Sequence, residues 1–127
     1  MAREPIPEDL RRFLLASVPS VPFVEAMLLL REAHGETVEA AHIARRLYLS
    51  EAAAGAVLEQ LAQARIAERA AQGPPAHRFA PHPEVAAVVE LLATHYRTHL
   101  VEVTEVIHSR TGRKAQQFAD AFKLRKD

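Results

Sequence analysis

Ile43-Ala44-Arg45-Arg46-Leu47-Tyr48-Leu49-Ser50-Glu51-Ala52-Ala53-Ala54-Gly55-Ala56-Val57-Leu58 holds the end of one short helix, a turn and the start of another. Ile43 and Leu47 share one face of a helix over 40–48. Leu49 turns the chain, and Ser50 carries the side-chain oxygen that accepts from the first free N–H groups of a helix. The second helix runs to about Ala64, with Ala54, Val57, Leu58 and Leu61 turned inward.

Elements on either side extend this pair. Pro7-Glu8-Asp9 suits a first helical turn, and Leu10, Phe13 and Leu14 follow on one face of a helix over 7–16. Ser20-Val21-Pro22 opens a helix whose Phe23, Ala26, Met27 and Leu30 line one side and whose Leu28 and Leu29 widen it, so it is central to the core. Gly35 stops it. Val38 stands as a lone bridge strand. Downstream, 65–70 is a weakly patterned strand, Gln72-Gly73-Pro74-Pro75 breaks the chain, and 77–80 returns. Two short helices followed by a hairpin make the winged helix-turn-helix plan, so the expected fold is mostly α with a small β-hairpin.

Glu84 to Ser109 contains no glycine or proline and reads as one helix, about 39 Å long at about 1.5 Å per residue. Val85, Val89, Leu92, Tyr96, His99, Val103 and Val106 recur at alternating spacings of four and three, a heptad-like seam. Such a rod has more apolar surface than a small body covers. The expectation is a dimerisation helix pairing two copies, with intramolecular packing as the alternative. A parallel pair would bring two His99 rings together and weaken the dimer as pH falls through about 6.5. The expected division is a winged domain over 1–83 and a dimerisation extension of that domain over 84–127. A last short helix over 114–122 would dock Phe118 and Phe122 on the core or the partner.

The composition bounds function. The 127 residues suit one domain, and the absence of cysteine removes disulfides and thiolate chemistry. No signal-like segment or bilayer-length apolar run is present, so a cytoplasmic protein with no membrane role is expected. Lys+Arg and Asp+Glu both number 16, whereas a duplex-binding chain usually shows a basic surplus or patch. The charge is uneven: 110–127 holds six basic residues against Asp120 and Asp127.

In the winged plan the helix after Ser50 enters the major groove, and base reading needs bidentate donors and acceptors. No Lys or Arg occurs from Ser50 to Ala64; the helix offers Glu51, small residues, and Gln60 late in its course. Phosphate contacts are better supplied, by Arg45 and Arg46 before the turn and by Arg65, Arg69, His77 and Arg78 around the hairpin. These eight, Glu51 and Gln60 among them, are the DNA-contact candidates.

His95 and His99 share a helix face with Glu102 nearby, but two ligands at common spacing are a weak metal signal, and no metal or cofactor is expected. The four glycines, at 35, 55, 73 and 112, form no phosphate loop, and no nucleophile elbow is present. No catalytic residue is assigned.

The order of motifs resembles small bacterial winged-helix proteins, MarR-like in the broad sense. The likeness rests on Val24-Glu25-Ala26-Met27-Leu28-Leu29-Leu30-Arg31, on Ile43 to Ser50, on the Gly73-Pro74-Pro75 turn, and most specifically on Phe118-Ala119-Asp120-Ala121-Phe122-Lys123-Leu124-Arg125-Lys126. It implies a cytoplasmic winged fold and a regulatory role. Better-known members dimerise through terminal helices and carry basic residues in the recognition helix; the chain shares the first feature and departs from the second. The reading is therefore a non-catalytic, homodimeric regulator binding double-stranded DNA. The alternative is a protein-interaction or small-ligand-sensing module without sequence-specific DNA binding.

Overall fold

A computed structural model describes residues 6–109. The expected helix over 114–122 and the basic run over 110–127 lie outside the described residues. The order is α1 (Glu8–Ser17), α2 (Val21–Glu32), β1 (Val38–Glu39), α3 (Ala40–Leu47), α4 (Glu51–Gln63), β2 (Ala67–Arg69), β3 (Ala76–Phe79) and α5 (Pro83–Thr98). A further helix, α6, is described over 100–109.

The helix starts follow local chemistry. Ser20 Oγ accepts from Phe23 N–H, Ser50 Oγ from Ala53 N–H at 3.0 Å, and His82 Nδ1 from Glu84 N–H at 3.1 Å. Pro22 and Pro83 sit in first turns, where a missing N–H costs nothing. The sheet runs β1-β3-β2, antiparallel throughout, with Val38 opposite His77 and Arg69 opposite His77 on the other side. Ala70 N–H donates to Ala76 O and closes the wing loop, where Gly73 takes φ +90, a region open to glycine.

A single buried cluster joins all the helices. It runs from Leu10 and Leu14 through Phe23, Met27 and Leu30 of α2, Ile43 of α3 and Leu58 and Leu61 of α4, to Leu92, Val103 and Ile107. Among the described residues no single helix is long and apolar enough to cross a membrane.

The expected single helix over 84–109 is two. The chain breaks at His99 (φ −128, ψ 40) and resumes as α6. Thr98 and His99 are weak helix formers, and the break turns Val103, Val106 and Ile107 back onto the core, where a straight rod would have carried them past it. The seam is corrected with it. Val89, Leu92 and Val103 have no exposed surface within one chain, Val106 is buried, and Val85 and Tyr96 pack half-buried against the same core. His99 occupies the break, so no continuous stripe remains for a partner along these positions. Among the described residues of α5 and α6, the large apolar side chains left exposed lie at the start of α6: Leu100 is 48 % exposed and Val101 47 %.

Candidate nucleic-acid interface

Helices α3 and α4 meet at a turn in which Tyr48 adopts the left-handed region (φ 58, ψ 43) and donates its N–H to Ala44 O. Arg45 and Arg46, in the last turn of α3, are exposed and have no acidic partner among the described residues. They stand where the negative end of the α3 dipole favours cations.

Helix α4 presents a different surface. Its exposed residues are Glu51, Ala52, Ala56, Glu59, Gln60 and Gln63, with no cation among them. Glu51, Ala52 and Gly55 border a shallow groove whose other walls are Glu39, Ala40 and Ala41 of the β1–α3 join and Pro74 and Pro75 of the wing loop. Gln60 and Gln63 instead line a hollow with Ser17, Pro19 and Phe23, on the α1–α2 side of the helix. Glu51 and Gln60 therefore do not converge on one patch.

The wing arginines are exposed, but each faces a carboxylate of its own chain. Arg65 pairs with Glu84 at 3.2 Å, Arg69 with Glu59 at 3.7 Å, and Arg78 with Glu68. Exposed pairs of this kind contribute about 0–1 kcal/mol and exchange readily for other anions.

His77 is corrected as a contact candidate, being 2 % exposed. Strand alternation gives the outward side to Arg78 and turns His77 beneath α4, with Nε2 3.4 Å from Glu59 Oε1. Neither ring nitrogen has a well-formed hydrogen bond. Burial pushes its pKa below the ordinary 6.5, with Glu59 opposing and Arg69 reinforcing that shift.

Two further residues of the candidate surface escaped the sequence reading. Glu59 ties α4 to both Arg69 and His77, and nothing local in the sequence marks it. Tyr48 is 95 % exposed, and its signal was a tyrosine where a helix-turn-helix joint commonly has glycine.

The histidine pair on α5 is close, with ring centroids 5.1 Å apart. One nitrogen of each is already engaged, His95 Nδ1 with Leu91 O and His99 Nδ1 with Thr98 Oγ1. Among the described residues no three His, Asp or Glu side chains form a metal-holding group.

The fold is a winged helix, mostly α with a small three-stranded antiparallel sheet. The chain is similar to Rv1404 from Mycobacterium tuberculosis (TM-score 0.50, 18 % identity, covering 91 % of this chain and 83 % of that one). It is also similar to a cysteine-to-serine mutant of Lactococcus lactis ZitR (TM-score 0.45, 20 % identity, 84 % of this chain and 74 % of that one). No protein-family model matches the chain, and no curated protein matches it significantly.

Proposed function

We propose that the chain is a cytoplasmic, non-catalytic regulator of transcription that holds double-stranded DNA chiefly by its phosphates. The observation that carries this reading is the pair Arg45 and Arg46, exposed and unpaired among the described residues at the helix-turn-helix joint. Around it stand the N-terminal N–H groups of α4, of which Ser50 engages that of Ala53, and the exchangeable Arg65, Arg69 and Arg78 of the wing. The outer face of α4 offers little to base edges, so binding is weakly selective and strongly salt-dependent. Pairing of two copies belongs to the same proposal, with its surface at Leu100 and Val101 instead of the buried seam.

The test is a random-duplex selection and a salt titration on the full chain. Retention at low salt without sequence enrichment supports the reading. The Arg45→Ala, Arg46→Ala double variant lowers the slope of log K against log salt by about 1 to 2. Sizing of a Leu100→Glu, Val101→Glu variant checks the pairing surface.

A second reading, a winged-helix module that binds protein, is favoured by the acidic and alanine-rich outer face of α4. Absence of duplex binding even at low salt selects it.

A further inference from the structure

We infer that Tyr48 is an external contact, gripping the sugar-phosphate backbone at the edge of the groove that α4 enters; the inference rests on the DNA reading above. Two costs meet at this residue. Its φ of 58 lies in the left-handed region, where a Cβ is unfavourable and glycine is not. Its side chain is 95 % exposed, so the ring has almost no internal packing to offset that strain. Arg65, also at positive φ, is the contrast. Its guanidinium pairs with Glu84 and its carbonyl accepts from His82 N–H, so that turn is tied into the body. The Tyr48 hydroxyl has no partner among the described residues. Glycine would serve the fold better at this joint, so what the tyrosine supplies is directed outward.

Its neighbours indicate the chemistry of what it meets. Arg45 and Arg46 precede it in the last turn of α3, and Ser50 caps α4 two residues beyond it. Cations, a helix N-terminus and a phenol together suit a phosphodiester: the arginines balance charge, the phenol O–H donates to a phosphate oxygen, and the ring lies on the adjacent deoxyribose. A neutral donor is useful here because Glu51, in the first turn of α4, repels the same phosphates.

The experiment uses the full chain, a fluorescein-labelled random-sequence duplex at low salt, and the variants Tyr48→Gly and Tyr48→Phe, each followed by anisotropy and thermal melting. Tyr48→Gly is expected to melt several degrees higher while losing about five- to tenfold in affinity. Tyr48→Phe keeps the wild-type melting temperature and loses less, which isolates the hydroxyl. Opposite signs for stability and affinity are what a merely structural role does not give. Wild-type binding that survives Tyr48→Gly unchanged overturns the role of Tyr48 and leaves the DNA reading standing. A wild-type chain that ignores the duplex removes both.

Discussion

His77 Nε2 lies 3.4 Å from Glu59 Oε1, joining wing strand β3 to helix α4 through a buried imidazole and a half-exposed carboxylate. Burial is the largest influence on His77 and lowers its pKa below 6.5; the charge of Glu59 works against burial, and Arg69 works with it. The unfolded chain therefore binds this proton more readily than the folded one. Stability is full above pH 6.5, falls as pH drops from 6.5 toward the folded value, and levels off below it. The expected result is a declining denaturation midpoint across that window in the wild type and a flatter profile in His77→Leu. Parallel profiles in the two proteins would exclude His77 as the titrating group.

The reach of the sequence differs between elements. Ser50, the Gly73-Pro74-Pro75 turn and Val38 were legible because caps, tight turns and a lone β-branched residue act over a few residues. The break at His99 was not, because neither glycine nor proline marks it; it follows from burying Val103 and Ile107 on a core built from distant segments. The seam spacing identified apolar positions correctly but carried no information on which surface covers them. At the candidate interface, the placement of Arg45 and Arg46 in the last turn of α3 was readable. The carboxylates facing Arg65, Arg69 and Arg78, and the burial of His77, depend on chain crossings that no local pattern encodes.

Because Leu92 and Ile107 are fully buried within one chain, their loss should be felt without a partner. Leu92→Ala is expected to cost about 2–5 kcal/mol and Ile107→Val about 1 kcal/mol. Denaturant unfolding at several protein concentrations checks this. Losses that are independent of concentration fit packing inside one chain, whereas losses that appear only in a concentration-dependent transition would return these residues to an intermolecular seam.

Tyr96 donates its hydroxyl to Glu25 Oε1 at 3.2 Å, linking α5 to α2. Burial first, then the adjacent carboxylate, push its pKa up to about 12. The unfolded chain ionises its tyrosine near the ordinary value of 10, so this contribution to stability is lost as pH rises from 10 toward 12. In Tyr48→Phe, where Tyr96 is the remaining tyrosine, phenolate absorbance should appear only near pH 12 while the chain stays folded. Tyr96→Phe is expected to cost about 1 kcal/mol by thermal melting.

Arg31 and Glu90 form a two-pronged pair at 2.9 and 2.7 Å that also joins α2 to α5. The Arg31 hydrogen bond holds Glu90 below its ordinary 4.5. Its stabilisation is present above pH 4.5 and is lost as pH falls through the folded value. Both side chains are well exposed, so Glu90→Gln should cost about 0–1 kcal/mol at neutral pH, less in high salt. A loss of several kcal/mol in that variant would mean that the pair is shielded from water in solution.

Glu51 is the acidic residue in the first turn of α4, exposed and without a partner among the described residues. The helix dipole favours it there, so Glu51→Lys should cost a few tenths to about 1 kcal/mol of stability. On the DNA reading the same change removes a repulsive charge and adds a phosphate contact. Affinity for a random duplex should then rise about tenfold at low salt, and the slope of log K against log salt should steepen by about 1. The two effects have opposite signs, so a general loss of structure cannot imitate them. If Glu51→Lys folds and its duplex affinity and salt slope equal those of the wild type, the first turn of α4 does not face DNA. The acidic, alanine-rich face of this helix would then belong to a protein partner.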